Sequence, residues 1–261
     1  MNHQNGFGMC TINNKMVGQA GYSILQSDIP DAIIAQKGGV DMKDFPLFTT
    51  EFGVSSLILR EIPYRAEAYI RIQDVQSEGF TDHLKECVSF CRMVGAERIY
   101  ADGHEALTAF PVHASVYEMR GTAWVDQSKL ENLFPVTELT VGRFRSICNE
   151  RLRQVDHSAT LTSADEKKIL ESGGAYFVHH AGELLGVGWL EDTKLLLMAA
   201  VVPGAGQRVM HSLMSLVEGT DMTLEVASTN ERAIRLYEKL GFLKTAECSS
   251  WYDVFSVTAE K

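Results

Sequence analysis

The chain has no excess of positive charge, no closely paired cysteines and no long apolar run near its start, and each absence removes a class of function. Lysine and arginine number 24 against 34 aspartate and glutamate, a net charge of −10 with a pI near 5.3. Such a balance argues against a nucleic-acid backbone or an anionic membrane as partner. The five cysteines, Cys10, Cys87, Cys91, Cys148 and Cys248, are odd in number and scattered. They form no CxxC pair and stand in no His-rich spacing, so no metal is expected. Cys87 and Cys91, one helical turn apart, read as small core residues. No basic region leads into an apolar stretch, so neither a signal peptide nor a membrane span is expected. A cytoplasmic protein with reduced thiols is the expectation.

What is present is enough apolar residue, 45% of 261 with 22% charged, to build one large or two ordinary cores. Residues 1–45 carry loop punctuation, with short apolar pieces at Tyr22–Leu25 and Ala32–Ala35. From there the periodicity predicts strands at Val54–Ile62 and Glu67–Asp74 with a turn at Pro63–Ala66. A helix at Thr81–Val94 ends at Gly95, and strands follow at Glu97–Ala101 and Val112–Arg120. Trp124–Thr140 has little periodicity and reads as a connector.

Helices are predicted at Val141–Val155 and Ser163–Glu171, the second with a capping box of Ser163 and Glu166. A hairpin about Gly182-Glu183 joins Ala175–His180 to Leu184–Leu190. Lys194–Val202 is a continuous apolar run, as in a strand buried on both faces. Pro203 breaks it, Gly206–Val217 is helical, and Thr245–Val254 closes the chain as a hairpin or two short strands.

The most informative stretch is Thr223–Phe242, TLEVASTNERAIRLYEKLGF. Leu224 and Val226 alternate as in a strand, Asn230 stands where a helix cap belongs, and Ala233, Leu236, Tyr237 and Leu240 fall on one helical face. Gly241 is the expected left-handed stop. The register of Asn230, Arg232, Ala233, Leu236, Tyr237, Gly241 and Phe242 resembles the late strand–helix segment of the GCN5-related N-acetyltransferase (GNAT) superfamily. The element order over about residues 140–255 resembles that fold as well. The resemblance implies an α/β protein with a GNAT-like mixed sheet flanked by helices. The strand–helix–strand order of Glu67–Ala101 repeats that of Leu195–Ala227, so two lobes are expected: 1–125 as a degenerate one, 126–140 as connector, and 141–261 as the acyl-CoA-binding one.

The resemblance also implies coenzyme A, with acetyl-CoA as donor. The turn Val201-Val202-Pro203-Gly204-Ala205-Gly206-Gln207-Arg208-Val209-Met210 matches the family's pyrophosphate loop with one residue missing. Arg208 then stands where a small residue is usual. Backbone groups of Ala199, Ala200 and Val202 would pair with the pantetheine arm, a backbone N–H near Ala200 would meet the thioester oxygen, and Asn230 and Ala233 would line the same arm. Tyr237 would protonate the departing thiolate, and Glu225, ahead of Glu191 and Asp192, would be the general base. Each has a plainer reading: Tyr237 as a core aromatic, Asn230 as a simple cap, and Glu225 as an outward-facing strand residue. The implied activity is acyl transfer to an amine, small-molecule or peptide, by direct attack. The rivals are a non-catalytic acyl-CoA sensor and a protein-interaction module on the same fold. Neither the acceptor nor the oligomeric state follows from the sequence.

Overall fold

The computed structural model describes residues 46–257, so the pieces expected at Tyr22–Leu25 and Ala32–Ala35 lie outside the described residues. In chain order the first elements are β1 (Leu47–Thr49), β2 (Gly53–Ile58), α1 (Ile62–Arg65), β3 (Glu67–Val75), α2 (Phe80–Met93), β4 (Arg98–Asp102) and β5 (Val112–Thr122). There follow β6 (Asn132–Pro135), α3 (Val141–Leu152), α4 (Ser163–Ser172), β7 (Ala175–His180), β8 (Glu183–Glu191) and β9 (Lys194–Ala200). The last are α5 (Gly206–Met214), β10 (Asp221–Ala227), α6 (Glu231–Lys239) and β11 (Leu243–Asp253).

Two compact units result, one within Met1–His113 and Ser249–Lys261, the other Ala114–Cys248. These bounds differ from the expected linear division because pairing, not chain order, groups the strands. β5 pairs with β10, and the expected connector contains β6, which pairs with β7 from Asn132↔His179 to Pro135↔Tyr176. The closing residues form one long strand rather than a hairpin, and its end, Tyr252 and Asp253, pairs with Ala101 and Tyr100 of β4.

In the first unit the strand order is β1-β2-β3-β4, closed by the end of β11. β2 stops at Ile58, and the expected turn is the helical turn α1, with a proline in its opening positions and Ala66 left-handed (φ 56) at its end. β3 and β4 run parallel and pair at five positions, Glu67↔Arg98 through Arg71↔Asp102. Opposite charges sit across both ends of this ladder: Arg98 meets Glu67 at 3.1 Å, and Arg71 binds Asp102 through Nε at 3.0 Å and Nη2 at 2.8 Å. Tyr69 and Tyr100 pack between them with ring centroids 5.4 Å apart and planes tilted by 43°. Such cross-strand pairs fix register. The opposite face, Ala68, Ile70, Ile72, Ile99 and Ala101, packs on Leu84, Cys87, Val88 and Cys91 of α2. Those four stand at positions i, i+3, i+4 and i+7, which is why the segment is a helix with one buried side.

The second unit orders the start of β11, then β5-β10-β9-β8-β7-β6. Helices cover both faces. Phe144 and Cys148 of α3 and Ile169 of α4 pack on Phe177, Val187, Trp189 and Ala199. On the other face Val209, Met210 and Leu213 of α5 and Tyr237 of α6 pack on Val178, Leu185, Leu224 and Val226. Phe177 and Val178, adjacent in β7, serve opposite faces, as strand alternation requires. Two local expectations shift by one residue. The α4 capping box is Thr162 with Asp165, and the β7–β8 turn is Ala181-Gly182, both at positive φ, 45° and 87°. Cys87, Cys91 and Cys148 are free and buried, but Cys248 is disulfide-bonded, which departs from the expectation of reduced thiols.

Candidate active site

The site begins where β9 ends. The N–H groups of Val201 and Val202 both donate to Leu185 O, at 2.8 and 3.3 Å. Two residues thus face one acceptor, a bulge that turns the chain out of the sheet. Gly204 (φ 83) completes the turn, and α5 opens with Val209 N–H donating to Ala205 O at 2.9 Å. Ahead of that first helical bond stand the N–H groups of Gly206, Gln207 and Arg208, with no side-chain cap at Ala205. A helix start with free donors is an anion site. Val209 and Met210 are fully buried in the core and have no side chain to offer a ligand.

The helix can lie this close because β8 carries glycines beneath it. A Cβ on Gly186 would come within 2.6 Å of Ala199 O and 2.8 Å of Val209 Cγ2, and one on Gly188 would meet Leu213 Cδ1. Both positions face α5, two apart on one strand, a signal present in the sequence as Gly-Val-Gly-Trp.

β9 and β10 run parallel but pair only at Thr223↔Lys194 and Leu224↔Leu195. Beyond Leu195 β9 continues to Ala200 against β8 and β10 continues to Ala227 against β5, so the two part. This is why Leu196, Leu197 and Met198 are only half-buried, where burial on both faces is expected from the apolar run. Backbone groups alternate along a strand. Val201 donates toward β8, so Ala200 and Met198 present their N–H and C=O on the parted side. Of the expected trio Ala199, Ala200 and Val202, only Ala200 faces the opening, and Met198 joins it.

α6 borders the same place. Leu236 Cδ2 lies 3.2 Å from where a Cβ on Gly206 would stand, so α6 touches the first turn of α5. Asn230 caps α6, its side chain accepting from Ala233 N–H at 3.2 Å, and Gly241 (φ 88) ends the segment as expected. Tyr237 is 7% exposed, and burial pushes its phenol up to about 12. It stays protonated at neutral pH.

Two expected residues are engaged elsewhere. Glu225 accepts from Lys194 Nζ at 2.6 Å. The register of Leu224 with Leu195 leaves it four residues, about 13 Å, short of Ala200. Arg208 donates through Nε to Glu131 Oε1 at 2.6 Å, and its Nη2 meets the same oxygen. The second oxygen of Glu131 faces His180 Nδ1 at 2.9 Å. Sequence reasoning missed Glu131 because it lies in the stretch without periodicity. His211 is buried, which lowers its pKa, and its Nδ1 accepts from Asp126 N–H at 3.4 Å. Among the described residues no group of three or more His, Cys, Asp or Glu could hold a metal, and no helix is long and apolar enough to cross a membrane.

Comparison with known proteins places this geometry in a fold class. The family model described as FR47-like protein matches residues 201–251, from the end of β9 into β11. Among solved structures, a GCN5-related N-acetyltransferase from Anabaena variabilis superposes with a TM-score of 0.54 at 9% identity, over 87% of this chain and 70% of that one. A Pyrococcus horikoshii protein provisionally classed as an acetyltransferase gives 0.52 at 13% identity, over 80% and 72%. A search of curated proteins finds no match. The fold is that of the GNAT acetyltransferases, as the Asn230–Phe242 segment implies.

Proposed function

We propose that this protein is an N-acyltransferase that moves an acetyl or other short acyl group from acetyl-CoA to an amine. The observation that carries this is one conjunction: parallel strands that part after two paired positions, an uncapped helix start at the end of one of them, and a protonated tyrosine on the helix beside it. The Gly206, Gln207 and Arg208 N–H groups would hold the pyrophosphate. Met198 and Ala200 would pair with the pantetheine amides as a sheet edge pairs with a peptide. Coenzyme A supplies the acyl group as an activated thioester. The Ala200 N–H donates to an oxygen that gains negative charge at the opening, and Tyr237 holds the proton a departing thiolate needs. Attack by the amine is direct in this reading: the free cysteines among the described residues, Cys87, Cys91 and Cys148, are buried, and burial raises their thiol pKa values, which disfavours a nucleophilic thiolate.

The engagement of Glu225 by Lys194 favours a second reading, a non-catalytic acyl-CoA sensor or a protein-interaction module. The test is calorimetry with acetyl-CoA followed by thiol release over a panel of small and peptide amines. Binding at one site per chain with turnover on some amine is expected. A single site is expected because the parallel strands β3 and β4 stay zipped over five positions and leave no gap for a pantetheine arm. Binding without turnover supports the sensor, and no binding refutes both acyl-CoA readings.

A further inference from the structure

We propose that Glu131 sets how tightly this site holds a phosphate-bearing ligand, by keeping the Arg208 guanidinium away from the helix start. The inference rests on the coenzyme A reading above. Arg208 is the third residue of α5, and its own N–H belongs to the anion-binding turn. Side chains early in a helix lean toward its N-terminus. A guanidinium on this position therefore has two destinations, an anion in front of the first turn or Glu131 on the flank, and it cannot serve both.

The structure assigns it to Glu131, with Nε at 2.6 Å. That carboxylate is not an incidental surface partner. Its side chain is 6% exposed, its backbone N–H donates to Ser212 Oγ one turn further along α5 at 2.9 Å, and its other oxygen faces His180. A carboxylate this buried keeps its cation, whereas the Arg208 side chain is 37% exposed and is not confined to that partner by burial. The positive charge best placed to add to phosphate binding is thus neutralised in the resting protein. Arg208 is an anion ligand in reserve, and Glu131 is the positioning residue that withholds it.

The test is calorimetry with coenzyme A and, as a phosphate-free probe, pantetheine. It uses the full chain, Glu131→Gln, Arg208→Ala and the double variant. Glu131→Gln should bind coenzyme A about tenfold more tightly, the scale of one charge-assisted contact, with a steeper salt dependence. In the Arg208→Ala background the same change should bring no tightening, and pantetheine binding should be equal throughout. Should Glu131→Gln fail to fold, Glu131→Ser frees the same guanidinium and is read the same way. Unchanged or weaker coenzyme A binding by a folded Glu131 variant overturns the proposal while leaving the acyl-CoA reading intact. So does a gain that survives removal of Arg208. If none of the proteins binds coenzyme A, both fall together.

Discussion

Replacing Tyr237 with phenylalanine removes one hydroxyl and keeps the ring. The ring packs in the α5–α6 core, 6.1 Å from that of Phe242, and phenylalanine preserves those contacts. Deleting a hydroxyl that bonds within the protein costs about 1 kcal/mol. The Tyr237 hydroxyl has no hydrogen bond to a described residue, so stability should move by less than about 0.5 kcal/mol. Tyr237→Ala, by contrast, opens a cavity and should cost about 3–5 kcal/mol. If the phenol is the proton donor, its loss slows turnover by roughly 10²–10⁴-fold, about 2.7–5.5 kcal/mol in the barrier. The phenylalanine variant should therefore melt and bind acetyl-CoA like the wild type while releasing thiol far more slowly. The pH profile adds a check of sign. An acid must be protonated to act, and with its pKa raised to about 12 the tyrosine should cause no loss of rate below about pH 10. Wild-type turnover by Tyr237→Phe, or a rate loss matched by a loss of folded protein, would refute the assignment.

Two further outcomes follow from packing and burial. Gly186→Ala drives a methyl toward Ala199 O at 2.6 Å, a backbone atom that cannot swing aside. Overpacking of this kind costs about 1–3 kcal/mol and should weaken acetyl-CoA binding through the displaced end of β9; wild-type melting and binding would disprove it. His83 is fully buried between the Thr50 and Ser55 hydroxyls, both at 2.7 Å, and burial lowers its pKa. On acidification the unfolded chain takes up the proton first, so stability should fall as pH drops below about 6.5. His83→Gln should flatten that fall in a urea-midpoint series between pH 5 and 7, and an unchanged slope would exclude His83 as its source.

Much of the fold was legible because its signals are local. The period of α2, the cap at Asn230 and the stop at Gly241 are each set within a few residues, and each stands where the pattern puts it. The conjunction of Asn230, Tyr237, Gly241 and Phe242 in one register was enough to point to the fold class. Non-local pairings were less legible. β6 is four residues at a sheet margin and has no alternation to display, so it reads as a connector. The closing stretch, expected as a hairpin or two short strands, is one strand through to Asp253, because neighbouring strands keep it extended.

The candidate site divides the same way. By itself the sequence determined which residues stand at the loop and on α6, because helix caps, glycine stops and apolar periodicity depend on neighbours along the chain. Only the tertiary structure decided that β9 and β10 part after two pairs while β3 and β4 stay joined over five. It alone decided that Ala200 rather than Ala199 faces the opening, that Glu225 belongs to Lys194, and that Arg208 belongs to Glu131, far away in sequence. The physical reason is that strand separation and ion pairing are set by which segments meet across the sheet and beside a helix, and chain order does not encode those meetings.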